Sequence, residues 1–119
     1  MALADNKPRI VSYLRGTEFS LELAQACVAG DLLMYETDGW YLADADVATC
    51  VVVALEEGAV GDTIDATSFA VIRSYTGATA GTQVHTAASG AVAETGTVHV
   101  GYWVNATTAV ICPLLTTSS

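Results

Sequence analysis

The most regular alternation of apolar and polar positions lies near the C-terminal end of the chain, over residues 95–115. Residues 98–104 fall into two sets at every second position, as in a β-strand, whose side chains point alternately to its two faces. The set predicted to share one face is Val98, Val100, Tyr102 and Val104. A polar corner at residues 105–108 precedes an apolar return strand at residues 110–115. The pattern predicts a hairpin that closes a small all-β domain.

Shorter strand patterns fill most of the remaining chain. Residues 18–23 alternate strictly, although the same letters continued to Val28 also fit one face of a helix. Asp38 and Gly39 form a hairpin signal, which predicts that residues 32–37 pair with residues 40–43. Residues 49–55 are so apolar that they predict a central strand buried on both faces. The other predicted strands are residues 63–72, 83–86 and 92–95.

One short motif recurs between these strands. A small apolar residue, a glycine and a short polar residue stand at 29–31, 60–62 and 80–82, each before an apolar strand. Glycine adopts backbone conformations that other residues resist, and Asp or Thr can bond to the backbone of its own turn. We therefore predict three similar corners in a strongly bent sheet. About eight short strands with glycine corners predict a single all-β domain, a small sandwich or barrel.

The sequence pattern of the N-terminal residues differs from that of the predicted β-domain. Residues 1–16 contain Pro8 and short apolar pairs between basic residues, with no turn chemistry linking them to a partner strand. Because terminal segments stay loose unless they dock, we predict an extended arm over residues 1–16 and the β-domain over residues 17–119. An ordinary terminus that ends in an edge strand fits the same residues.

The net charge of −9 is unevenly distributed. Residues 1–15 hold three of the four basic residues and one acid, whereas residues 16–65 hold eleven acids and no base. Phosphate binding requires clustered Lys and Arg, so we expect no nucleic-acid partner. The apolar runs are far shorter than the ~20 residues that span a bilayer, and no secretory signal opens the chain. We expect a soluble protein with no membrane partner.

No combination of residues predicts an active site. Cys27, Cys50 and Cys112 lack C-x-x-C spacing and read as reduced apolar residues. His85 and His99 are the two histidines, and a metal site would need a third ligand. An acidic group lacks the spacing of a calcium loop; its members are Glu36, Asp38, Asp44 and Asp46. We predict no catalytic residue, cofactor or metal, and a protein that acts by contact.

Residues 28–115 resemble the small capsid decoration (cement) proteins of tailed bacteriophages. The similarity lies in a Val-Val-Val-Ala strand followed by Glu-Gly-Ala-Val-Gly-Asp, a Ser-Phe-Ala-Val-Ile strand, and Thr-Ala-Gly-Thr-Gln-Val-His followed by Ala-Ser-Gly-Ala-Val. It extends to Val-Gly-Tyr-Trp-Val and a closing Ala-Val-Ile-Cys-Pro-Leu. The resemblance implies a β-barrel or β-tulip-like domain, made in a bacterial cytoplasm, that binds the outer surface of a phage capsid and stabilises it.

The resemblance also implies partners and contact residues. The partners would be the major capsid protein and further copies of the chain, as a homotrimer on the capsid. In such families the N-terminal arm often adds a strand to capsid-protein β-structure. The residues of this chain that would make that contact are Lys7, Pro8, Arg9, Ile10, Val11, Tyr13 and Arg15.

Two other functions fit the sequence. One is a minor tail or fibre module, or another surface module of a virion. The other is a small barrel that binds a ligand or a metal near His85 and His99.

Overall fold

The computed structural model describes residues 4–5, 9–13, 15–36, 38–46 and 51–112. These residues form thirteen β-strands and one short 3-10 turn, Ala88–Gly90. In chain order the strands are β1 (Ala4–Asp5), β2 (Val11–Tyr13), β3 (Glu18–Glu22), β4 (Leu32–Glu36), β5 (Gly39–Leu42), β6 (Val51–Ala54), β7 (Thr63–Thr67), β8 (Ala70–Ile72), β9 (Tyr75–Thr76), β10 (Gln83–Thr86), β11 (Val92–Ala93), β12 (His99–Trp103) and β13 (Ala109–Ile111). The prediction of an all-β fold is confirmed.

The strands form two main antiparallel sheets. One has five strands in the order β3-β7-β6-β4-β5, and the other has six in the order β11-β10-β12-β13-β8-β2. The edge strands of the five-stranded sheet approach each other, and the Ala24 N–H donates to the Trp40 carbonyl at 2.8 Å. This contact belongs to an isolated bridge, so the sheet does not close. Of the two predicted architectures, the closed barrel is wrong and the two sheets pack as a sandwich.

Two apolar clusters make up the core. The larger cluster lies between the sheets and includes Leu32, Val53, Ile72, Val84, Trp103 and Ile111. The second lies on the opposite face of the five-stranded sheet and includes Leu21, Leu23, Cys27, Leu33, Val52 and Ile64. Alternate residues of β6 therefore enter different clusters, and all four are buried. Over its described part, the predicted central strand buried on both faces is confirmed.

The three glycine corners have the same conformation. Each glycine has a positive φ, at 86°, 91° and 86° for Gly30, Gly61 and Gly81. The residue after each glycine donates its N–H to the carbonyl three positions earlier, as in a type II turn. The carboxylates of Asp31 and Asp62 also accept the N–H groups of Val28 and Ala59, both at 2.9 Å. The predicted glycine conformation and the predicted side-chain hydrogen bond are both confirmed in these two corners.

The predicted strand at residues 63–72 is divided between the two sheets. β7 belongs to the five-stranded sheet and β8 to the six-stranded one, with a bend at residues 68–69. The Thr67 hydroxyl lies at this bend and accepts the Phe69 N–H at 3.2 Å. A run of β-branched residues carries no signal for such a change of sheet, because both halves have strand character.

A bulge in β12 changes which face its side chains occupy. His85 of β10 pairs with His99 but Val84 pairs with Gly101, which leaves Val100 as an extra residue. Val100 and Trp103 are consequently both buried, although a regular strand would place them on opposite faces. Tyr102 is 51% exposed and Val104 is 53% exposed. The predicted hairpin of β12 and β13 is confirmed, although residues 113–115 of the predicted return strand lie outside the described residues. Its predicted face assignment is wrong.

The two described strands of the N-terminal segment pair with the rest of the domain, β2 within the six-stranded sheet and β1 in a separate two-stranded sheet with β9. β2 pairs with β8, from Val11 opposite Ile72 to Tyr13 opposite Ala70, and β1 pairs with β9. The Arg73 N–H donates to the Ile10 carbonyl at 2.9 Å, extending the pairing. The expectation of a loose arm is therefore corrected for these residues. They match the alternative of a terminus that forms an edge strand.

Candidate protein-docking edge

The outer side of β2 is an open sheet edge. β2 is the last strand of the six-stranded sheet and pairs with β8 alone among the described strands. The Ile10 carbonyl points toward β8, because it accepts the Arg73 N–H. Backbone groups alternate sides along an antiparallel strand, so the N–H and C=O groups of Val11 and Tyr13 point away from β8. These groups can pair with a further strand.

The exposed side chains along this edge include two apolar ones and two basic ones, together with the Ser12 hydroxyl. Ile10 is 63% exposed and Tyr13 is 43% exposed. Arg15 is exposed just after the strand. Arg73, on the chain between β8 and β9, donates through Nη1 to the Ser12 hydroxyl at 2.7 Å. The edge therefore combines backbone groups that pair with no described strand, two exposed apolar side chains and two cations, on a chain whose net charge is −9.

Arg9 links the N-terminal segment to the rest of the domain through a buried ion pair. Its side chain is buried, and Nη1 donates to Oδ1 of Asp31 in an ion pair. Its guanidinium carbon lies 6.0 Å from the centroid of the Tyr75 ring. A side chain at Gly30 would stand 2.7 Å from Cδ of Arg9, so this glycine also makes room for the arginine. The next residue is held too, because the Ile10 N–H donates to the Ser74 hydroxyl at 2.6 Å.

The seven predicted contact residues thus have different positions. Lys7 and Pro8 lie outside the described residues. The expectation that Arg9 contacts a partner is corrected, because Arg9 is buried and pairs with Asp31. Val11 is half-buried, with its backbone groups directed outward, and the surface side chains are those of Ile10, Tyr13 and Arg15. Sequence reasoning missed Arg73, because only the pairing of β2 with β8 brings it to the same edge.

The candidate metal ligands do not form a site in the described part of the chain. The rings of His85 and His99 are 5.8 Å apart between centroids, and Nε2 of His99 lies 2.8 Å from the Gly101 carbonyl. No group of three potential metal ligands occurs among the described residues. Burial raises the pKa of the Cys27 thiol to about 11, which keeps it protonated near neutral pH. Cys50 lies outside the described residues.

These features define a class: an all-β sandwich with an open edge suited to adding a strand from another chain. Comparisons with protein-family models, curated proteins and solved structures found no match. Among the described residues, no helix is long and apolar enough to cross a membrane. The open edge of β2 and the sequence are therefore the observations that bear on function.

Proposed function

We propose that this chain is a structural protein of a bacteriophage virion that binds the outer surface of the capsid and stabilises it. The observation that carries the proposal is the open outer edge of β2, with Ile10 and Tyr13 exposed beside it. A strand that adds to this edge gains main-chain hydrogen bonds, while the exposed side chains set the register. The resemblance of residues 28–115 to decoration proteins supplies the choice of partner, the major capsid protein.

The proposed mode of binding differs from that of a loose arm. Since Arg9–Asp31 and the β2–β8 pairing hold the segment in the sandwich, the edge is preorganised before it meets a partner. Preorganisation reduces the entropy lost on binding. On a capsid, many copies would turn modest single contacts into collective reinforcement of the shell. The proposal includes a β-tulip-like type of sandwich and a homotrimer on the capsid.

A proline at position 13 tests the role of the edge. Tyr13→Pro removes an N–H that points away from β8, so the β2–β8 pairing loses no hydrogen bond. Tyr13→Thr is the matched control, since it removes the same ring but keeps the N–H. With emptied capsids of the phage that encodes the chain, we expect Tyr13→Pro to bind at least about tenfold more weakly than Tyr13→Thr.

The two variants should have circular dichroism spectra and midpoints of thermal unfolding close to each other. Equal capsid binding by both variants would contradict strand addition at this edge. The copy number in purified particles separates the proposal from its nearest alternative. Hundreds of copies fit a decoration protein, whereas a few copies would identify a tail or fibre module.

A further inference from the structure

A groove lies at the edge of the five-stranded sheet, which is not the sheet that contains β2. It has no part in the proposed capsid contact. It lies where the end of β3 meets the β4–β5 hairpin and the Gly61 corner, and its volume is about 440 Å³. Ligand pockets commonly have volumes of ~300–1,000 Å³, so the groove can hold a long side chain with part of its backbone. Its walls are held by backbone hydrogen bonds, from Ala24 to Trp40 at 2.8 Å and from Gly61 to Leu23 at 2.8 Å.

An aromatic pair forms one wall of the groove. The rings of Tyr35 and Trp40 meet edge to face, with centroids 5.4 Å apart and planes at 69°. Tyr35 is 43% exposed, while Trp40 is half-buried and packs against the second core cluster. Val60 lies across the groove and is 68% exposed. The groove thus offers two aromatic rings and an aliphatic side chain to whatever enters it.

The charge of the groove is negative and is not neutralised from within the described chain. Glu22 and Asp38 line it. The described bases are Arg9, Arg15 and Arg73, and none of them lines it. Asp38 accepts a hydrogen bond from the Tyr41 hydroxyl at 2.9 Å, and this bond raises the pKa of Tyr41. The two carboxylates are thus available to a cation from outside.

We propose that this groove binds an arginine side chain carried by an extended segment of a protein partner. A guanidinium is planar and weakly hydrated, stacks on aromatic rings, and donates to carboxylates in a fixed fork. Both kinds of acceptor line the groove, the aromatic side chains of Tyr35 and Trp40 and the acidic side chains of Glu22 and Asp38. Charge complementarity selects this occupant, since residues 16–65 contain eleven acids and no base.

A peptide titration followed by NMR tests the proposal on the full chain. The probe is a blocked five-residue peptide of threonine and valine with a central arginine, and the control peptide carries citrulline, which is neutral and has nearly the same shape. We expect the arginine peptide to shift the indole N–H signal of Trp40 saturably, with a dissociation constant in the millimolar range. The signal of Trp103, which is buried in the core, should not move. The citrulline peptide should bind at least about tenfold more weakly.

Charge-neutral variants locate the contact. The double variant Glu22→Gln with Asp38→Asn should weaken binding of the arginine peptide about tenfold, because it removes both carboxylates of the groove. Asp46→Asn is the matched control, since Asp46 is exposed and does not line the groove. It should change the dissociation constant less than about twofold. The NMR spectra also show that each variant keeps its fold.

Several results would overturn the proposal. One is an equal response to the arginine and citrulline peptides, and another is an equal loss of binding in Asp46→Asn and the double variant. A third is a Trp40 signal that moves with protein concentration but not with peptide, which would identify a second copy as the occupant. A saturable response to galactose with none to the arginine peptide would make the groove a carbohydrate site. The test does not involve Tyr13 or a capsid, so its outcome is independent of the proposed capsid contact.

Discussion

Replacing Arg9 with methionine is expected to lower the free energy of unfolding by about 3–5 kcal/mol, because it leaves the buried Asp31 carboxylate without its cation. Asp31 cannot readily turn toward water, since its other oxygen accepts the Val28 N–H at 2.9 Å within the Gly30 corner. Small domains have total stabilities of about 5–15 kcal/mol, so this loss is a large part of the whole. Urea unfolding, followed by circular dichroism, measures it.

Two further variants isolate the ion pair. Arg15→Met removes an exposed arginine from the same segment and should change the free energy of unfolding by less than about 0.5 kcal/mol. The double variant Arg9→Met with Asp31→Asn should be destabilised by less than the sum of the single variants, because neither charge is then left alone in the core. Equal effects of Arg9→Met and Arg15→Met would show that Arg9 does not fasten the segment.

Replacing Gly101 with alanine is expected to prevent stable folding. A Cβ at this position would stand 1.8 Å from the Val110 carbonyl oxygen, which belongs to the backbone of the neighbouring strand β13. The two strands cannot move apart without breaking the hydrogen bonds that pair them, and β12 also carries the buried Val100 and Trp103. The measurement is the cooperativity of thermal unfolding, and we expect the variant to show no cooperative transition.

Gly61 supplies the control for this effect. Its φ of 91° is unfavourable for alanine, but a Cβ there would meet nothing within 4 Å. Gly61→Ala should therefore fold and lose only about 1–2 kcal/mol from backbone strain. If Gly101→Ala unfolds cooperatively at nearly the wild-type temperature, the close approach of β12 to β13 is wrong.

The features that sequence predicted well are local ones. The Gly30 and Gly61 corners depend on residues within four positions of each other. The predicted pairing of β4 with β5 is also confirmed, but Gly39 lies in β5 opposite Glu36 and not in the predicted turn. The burial of β6 on both faces follows from an uninterrupted apolar run. In each case the physical cause lies within the segment that shows the pattern.

The features that sequence did not predict depend on distant partners. Arg9 reads as a surface cation until Asp31, 22 positions later, is placed beside it. The bulge at Val100 exists only relative to β10, where Val84 and His85 fix the register. The docking edge also depends on distant residues, because only the pairing of β8 with β2 brings Arg73 close to Ile10 and Tyr13.

Because the N-terminal segment pairs with the rest of the domain, its deletion has more than one effect. Deletion of residues 2–15 takes away β1, β2 and the Arg9–Asp31 pair, so it alters the sandwich as well as any contact surface. A loss of capsid binding in such a truncated chain would follow from either cause. Single replacements on the outer side of β2 separate the two causes, because they leave the β2–β8 pairing in place.

The central claim is that the outer edge of β2 receives a strand from the capsid. Residue-resolved amide hydrogen exchange of the protein, free and bound to emptied capsids, tests it most directly. In the free protein we expect the Val11 and Tyr13 amides to exchange much faster than the Ser12 amide, which faces β8. On the capsid, Val11 and Tyr13 should become protected while Ser12 changes little. Binding that leaves the Val11 and Tyr13 amides in fast exchange would contradict the claim.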